Sequence, residues 1–398
     1  MEKRHIYIDY NATTPLREEV KTTLIECMDL YGNASSMHES GRKARHWVEE
    51  ARLKVASLIN ALPEEIVFSS GGSESNNTVF ETMRVIASNK GANNGAKPFS
   101  ADRKEIITTS IEHPCVLNTA QYLKDTGFTV SFLPVDENGK IKMDALKTAL
   151  SEKTLLVSVM MANNEIGTIQ DIKEICALSK NVGALVHTDA SQAAGKMPVD
   201  VKDLGVDYMT ISGHKIYGPK GIGALYVKHG APLYPLIHGG HQEAGFRAGT
   251  HNNWGIIGFG KAAELALRDL GEYGKKMSLL RKRLRDGLEA KIPNIKINGH
   301  PTYTLPNTLD VSFPGAEGES ILLHMDLKGI EASTGSACAS GSLEPSHVLM
   351  ATGLGPELAH GSIRFSLGWG ISEDDIDYII NELPPIIEKL RSMSTMKL

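Results

Sequence analysis

Apolar residues along this chain fall into short continuous runs separated by amphipathic stretches, the pattern of buried strands alternating with helices. The strand-like runs are Ile66-Val67-Phe68, Glu105–Thr109, Thr129–Leu133, Leu155–Met160, Ala184–Thr188 and Val206–Ile211. Between them, apolar positions recur at helical spacing, as through Val79 and Ile86 or through Leu117 and Leu123. Apolar runs joined by helices predict an α/β fold whose mainly parallel sheet is covered by helices on both faces. Nearer the start, Ile6-Tyr7-Ile8 reads as a strand. Thr14-Pro15 reads as a helix cap followed by proline at the first helical position, opening a helix with Val20, Leu24, Met28 and Tyr31 that ends at Gly32. A second helix fits Ala44, Trp47, Val48, Ala51, Val55 and Leu58.

The Gly-, Asn- and Lys-rich stretch 89–104 reads as a surface loop. A long helix from about Gly260 to Ala290 leads out of the first unit, and Pro293 and Gly299 interrupt it. Beyond them, a strand at Thr308–Phe313 and a helix at Glu373–Leu390 indicate a smaller α+β domain. The expected division is a large domain over 16–262 and a small domain formed by 1–15 and 263–398. Neither an internal repeat nor a low-complexity tract interrupts this plan.

At 398 residues, with 41% hydrophobic and 22% charged positions, the chain has the size and composition of a two-domain globular protein. Its net charge of −5, with no basic stripe interleaved with aromatics, argues against nucleic acid as a direct partner. No apolar run reaches membrane-spanning length and the first residues lack a signal-peptide core, so a cytoplasmic location is expected. The four cysteines, Cys27, Cys115, Cys176 and Cys338, lie far apart, which excludes a C-x-x-C redox or zinc motif. Cys27 and Cys176 sit in apolar helical patterns and read as small buried hydrophobes.

The chemistry gathers at one edge. Ser212-Gly213-His214-Lys215 follows the Val206–Ile211 strand, so Lys215 projects from the edge where open α/β sheets bind ligands. Ser73, His113, Asn164, Asp189 and Gln192 also fall just past the carboxyl ends of predicted strands. Gly71-Gly72-Ser73 is a glycine-rich turn feeding a helix, with backbone N–H groups suited to a phosphate. Asp189, which can also cap the turn after it, is placed to keep a pyridine nitrogen protonated. A phosphate cradle, an acid for a ring nitrogen and a Schiff-base lysine together describe a site for pyridoxal 5'-phosphate. His113, which can also cap the turn at His113-Pro114, would lie flat on the ring.

Cys338 lies in a run of small residues, Ala332 to Ser342, that buries little apolar surface. A thiol on a mobile loop over about 333–345 can reach into a site, react and withdraw. Arg364, in the strand-like Ser362–Ser366, either turns its planar fork to a substrate carboxylate or forms an interdomain ion pair. His238-Gly239-Gly240-His241 lacks a third ligand and reads as a glycine-rich loop, so no resident metal is expected.

Read together, these motifs resemble the pyridoxal-phosphate cysteine desulfurases of the NifS and IscS type. The shared stretches are Asp9–Pro15, Ser73–Asn77, Glu112-His113, Asn163–Gly167, His187–Ala190 with Gln192, Ser212–Lys215, Arg247–Thr250, Gly335–Cys338 and Ser342–His347 leading to Ile363–Ser366. The resemblance implies a class V aminotransferase-like enzyme of fold type I, working as a homodimer. Lys215 would bind the cofactor covalently, Asp189 its pyridine nitrogen, Gln192 its ring hydroxyl, and His113 would stack on it. Gly72, Ser73, Ser212 and His214 would take the phosphate with Thr250 from the other subunit, while Asn164 and Arg364 would hold the substrate carboxylate. The span between Cys338 and Arg364 resembles the subgroup with an extended mobile loop. Ala248 and Gly72-Ser73 depart from common Ser and Ala-Thr, and the short stretch after Arg391-Ser392-Met393 gives no reason to expect scaffold binding through a long tail.

The implied reaction converts L-cysteine to L-alanine, with Lys215 as base and Cys338 receiving sulfur as a persulfide. That sulfur would pass to an iron–sulfur scaffold or another acceptor, Cys338 meeting an iron–sulfur cluster only during transfer. The alternatives are a selenocysteine lyase or aminotransferase of the same fold, or a non-enzymatic subunit that merely accepts sulfur.

Overall fold

A computed structural model describes residues 4–88, 103–334 and 344–394. The predicted loop over 89–104 falls mostly outside these residues, and Cys338 falls wholly outside them. The chain begins with β1 (Ile6–Tyr7), α1 (Glu18–Glu26) and α2 (Glu39–Leu58), followed by β2 (Ile66–Ser69), α3 (Gly72–Ala87), β3 (Glu105–Thr109), α4 (Pro114–Asp125) and β4 (Thr129–Leu133). It continues through α5 (Met143–Ala149), β5 (Thr154–Ser158), α6 (Ile172–Asn181), β6 (Leu185–Asp189), α7 (Val201–Leu204), β7 (Tyr208–Ser212) and β8 (Gly223–Val227). After the long α8 (Asn253–Lys291) come β9 (Lys296–Asn298), β10 (Thr308–Ser312), α9 (Gly318–Leu327), β11 (Ile330–Glu331), α10 (His347–Ala351), α11 (Pro356–His360), β12 (Ser362–Ser366) and α12 (Glu373–Met393).

Seven strands form one sheet in the order β2-β8-β7-β6-β5-β3-β4. Only β8 runs against its neighbours, so β2 points the same way as β3 to β7 and their carboxyl ends share one edge. Strands β5, β6 and β7 are buried along their whole length, as continuous apolar runs require. A separate antiparallel sheet, β12-β10-β9, packs with β1, β11 and α12 around Phe313, Phe365, Ile376 and Leu383. Among the described residues no helix is long and apolar enough to cross a membrane.

Two predicted helix boundaries are wrong, for identifiable reasons. Thr14 does not cap α1: its hydroxyl donates to the His214 carbonyl at 2.8 Å and accepts from the Tyr217 N–H at 2.7 Å. The helix therefore starts at Glu18, and Met28 and Tyr31 lie beyond its end in solvent. Helix α8 begins at Asn253, about seven residues before the predicted start. The Asn252 side chain caps it by accepting the Gly255 N–H at 3.0 Å. Its early glycines mark close packing: a Cβ on Gly260 would sit 2.5 Å from Ala51 Cα, and one on Gly258 would sit 2.6 Å from the Pro219 ring. Strand β8 has no counterpart in the sequence reading, because its five residues follow the glycine-rich Tyr217–Ile222 turn without a helical crossover.

Candidate active site

Strand β7 ends at Ser212, and a single 3-10 turn over Gly213–Lys215 swings Lys215 toward the carboxyl edge of the sheet. Its Nζ donates to the carbonyls of Asn11 at 2.6 Å and Ala12 at 2.8 Å, tying the lysine to the segment that follows β1. The amine opens on a cavity of about 270 Å³. Gly72, Ser73, His113, Asn164, Asp189, Gln192, Ser212 and His214 line the same cavity, so the residues read from separate strand ends do converge.

Asp189 closes β6 with its carboxylate held on both oxygens. Oδ2 accepts from Asn76 Nδ2 at 2.7 Å, and Oδ1 accepts from the Ser191 N–H at 2.9 Å. The turn-capping role open to Asp189 from sequence is therefore real, and leaves the side chain on the cavity wall. His113 likewise does two things. It caps α4 through Nδ1, which accepts from the Cys115 N–H at 3.2 Å, while the side chain lines the cavity. Burial above all pushes its pKa down, so the imidazole is neutral near pH 7.

One end of the cavity suits an anion. Helix α3 starts there at Gly72, and no side chain caps its Gly71 end, leaving first-turn N–H groups for a ligand. Its approach depends on Gly223, where a Cβ would fall 2.7 Å from both Gly71 Cα and the Ile211 carbonyl oxygen. His214 lies beside this end with Nδ1 3.1 Å from the Thr13 hydroxyl, and burial followed by the charge of Lys215 lowers its pKa to about 4. An amine, a fixed carboxylate, a neutral imidazole and a helix N-terminus with hydroxyls are the groups that hold a phosphorylated pyridine aldehyde. The residues present fit pyridoxal phosphate.

Three predicted site residues stand apart. Arg364 is fully buried on β12, where one guanidinium nitrogen donates to Asp9 Oδ1 at 2.7 Å and another to the Asn164 carbonyl at 3.2 Å. The ion pair is thus made, and its Nε has no partner although it is buried. Thr250 is exposed and does not line the cavity of the single chain. Cys338 lies outside the described residues, yet the chain just after it is anchored. The Ser346 hydroxyl donates to the Glu165 carboxylate, and His347 Nε2 lies 3.0 Å from the Glu112 carbonyl oxygen.

Several lining or supporting residues escaped the sequence reading. Cys115 lines the cavity with its sulfur 3.0 Å from His113 Nδ1, and burial pushes its pKa up to about 12. It is therefore a thiol and not a nucleophile near neutral pH. Asn11 lines the cavity and accepts from Lys215, while Asn76 holds Asp189 and Lys196 holds Gln192 and Asn11. Their nearest signals were position in a shared motif, or, for Lys196, four-residue spacing from Gln192. Among the described residues no group of three or more His, Cys, Asp or Glu converges as a metal site.

The aminotransferase class-V family model matches residues 6–379. The chain is 48% identical over 396 residues to cysteine desulfurase IscS of Dictyoglomus turgidum, covering 99% of this chain and 98% of that protein. A NifS-like protein of known structure superposes with a TM-score of 0.88 at 38% identity, over 97% of this chain and all of that one. SspA, solved in complex with cysteine, matches with a TM-score of 0.77 at 33% identity over 91% of this chain and 98% of its own.

Proposed function

The chain belongs to the class V aminotransferase family as a pyridoxal-phosphate-dependent cysteine desulfurase, and from that premise we propose what each residue around the cavity does. The observation that carries the assignment of roles is that Lys215 and the doubly held Asp189 open on one cavity beside the N-terminus of α3.

Bound pyridoxal phosphate supplies an electron sink for charge developing at the substrate α-carbon. Asp189 keeps a proton on the pyridine nitrogen. The α3 N-terminus with Gly72, Ser73, Ser212 and His214 would bind the phosphate, His113 would lie against the ring, and Gln192 would donate to the ring oxygen. Lys215 would hold the cofactor, and its free amine would be the base that takes the substrate α-proton. Asn164 and Arg364 orient the substrate carboxylate.

Cys338 completes the transfer. Its thiolate attacks the substrate sulfur, an S–S bond forms, and the C–S bond breaks with its electron pair left on the carbon fragment that leaves as alanine. Sulfur remains on Cys338 as a persulfide for an acceptor protein, an iron–sulfur scaffold being the proposed one. Ser346 and His347 support this, because they fix the end of the Cys338 segment beside Glu165 and Glu112, next in sequence to Asn164 and His113.

The proposal includes a homodimer in which Thr250 of the partner subunit adds a phosphate contact. Ile25 on α1, Tyr31 and Met37 between α1 and α2, and Trp254 at the start of α8 are exposed, and Trp254 bonds the Cys27 carbonyl at the end of α1, apolar surface suited to a second copy. It also includes a cytoplasmic location and the division into 16–262 and 1–15 with 263–398. Separate apolar clusters around the seven-stranded and three-stranded sheets support that division. The test is direct: the purified protein should be yellow and bleach with borohydride, with the label mapping to Lys215. A label on any other lysine overturns the assignment.

A further inference from the structure

Lys196 is buried between β6 and α7, with 4% of its surface exposed. Its Nζ donates to Gln192 Oε1 at 2.6 Å and to Asn11 Oδ1 at 2.9 Å. Neither acceptor is a carboxylate, so the amine is buried without a counter-ion among the described residues, an arrangement that costs stability and concentrates at functional sites. Burial first, then the charges of Lys215 and Arg364, hold its pKa well below the ordinary lysine range. Charged or neutral, it still has a hydrogen for each acceptor.

The consequence falls on Gln192. A primary amide has one acceptor oxygen and one NH₂, and the orientation of the two is fixed by what each meets. Lys196 meets the oxygen with a donor. The NH₂ must then lie on the other side, where one hydrogen goes to the Asn11 carbonyl at 2.9 Å, the same carbonyl that receives Lys215. The second hydrogen is left for the cavity that Gln192 lines. With Lys196 absent, the oxygen loses its donor and only the bond from the NH₂ to the Asn11 carbonyl still opposes turning the oxygen toward that space.

We propose that Lys196 is a positioning residue that locks the Gln192 amide with N–H toward the cavity, so that the cofactor's ring oxygen meets a donor and stays anionic. The inference rests on the cofactor site proposed above.

The experiment compares holoproteins at fixed pH by visible absorbance and by the dissociation constant for pyridoxal phosphate. Lys196→Met is expected to move the main band to shorter wavelength and to weaken cofactor binding about tenfold, the scale of one lost hydrogen bond. Lys196→Gln, which retains a donor, should keep the wild-type band. In a Gln192→Ala background, Lys196→Met should move the band no further, because the two residues act through one contact. An unshifted band in folded Lys196→Met overturns the inference. So does an equal shift in the Gln192→Ala background, which is what a purely structural lysine would give. Lys196→Ala carries the same comparison if Lys196→Met does not fold. Wild-type protein that binds no pyridoxal phosphate would overturn the cofactor site itself, and this inference with it.

Discussion

Asn76 Nδ2 donates to Asp189 Oδ2 at 2.7 Å, joining the first turns of α3 to the end of β6. Because α3 also presents its N-terminus to the anion end of the cavity, one helix sets the distance between the phosphate site and the acid for the ring nitrogen. Asp189→Asn is expected to lower kcat by more than about 100-fold, the usual scale for removing a preorganised charge. Asn76→Ala leaves the carboxylate held on one oxygen only, by the Ser191 N–H, with an expected loss of about tenfold, or ~1.4 kcal/mol. Steady-state alanine formation by the two variants tests the order; equal losses would show that Asn76 does more than hold Asp189.

Arg364 is already paired with Asp9, so a substrate carboxylate has to share a guanidinium that the fold holds rigidly. Lysine cannot reproduce the planar fork. Arg364→Lys should raise KM for L-cysteine by about 10- to 100-fold while changing kcat less, as expected for an interaction made equally in the ground and transition states. A fall in kcat at unchanged KM would contradict substrate binding by Arg364.

Glu112 gives a pH signature. It is fully buried, its Oε1 accepts from the Thr109 hydroxyl and the Met160 N–H, and its Oε2 has no partner. Burial foremost raises its pKa to about 8. In the unfolded chain it ionises near the ordinary value of 4.5, so the folded state holds an extra proton between about 4.5 and 8. Its contribution to stability is full below that window and is lost as pH rises through it, at about 1.4 kcal/mol per pH unit. Glu112→Gln removes this dependence. Urea unfolding from pH 5 to 9 should show the variant gaining on wild type up to about pH 8 and level above it.

Much of this was legible in the sequence because the strands that carry the site are buried on both faces. Continuous runs such as Leu155-Leu156-Val157 read as buried strands, and polar residues past their carboxyl ends, such as Asn164, line the same edge. Thr14 and the start of α8 were misread because their partners, His214 and Tyr217 for the one and Ala51 for the other, lie far off in sequence. Asn76 escapes for the same reason, and Lys196 and Cys115 escape in part, since each has one near partner and one distant one, Asn11 for Lys196 and Asn76 for Cys115. A buried polar side chain is recognisable only once its acceptor is known, and Asp189 stands 113 positions beyond Asn76.

The central claim is that Lys215 and Cys338 form one reaction centre for sulfur transfer. A single-turnover reaction of the holoprotein with L-cysteine, following alanine and mapping the modified peptide by mass spectrometry, tests it most directly. The expected result is one alanine per site with a persulfide on Cys338, no alanine from Lys215→Ala, and a Cys338→Ser protein that stays yellow but carries no persulfide. Persulfide formation at wild-type yield in Cys338→Ser, or on Cys115 in place of Cys338, would contradict it.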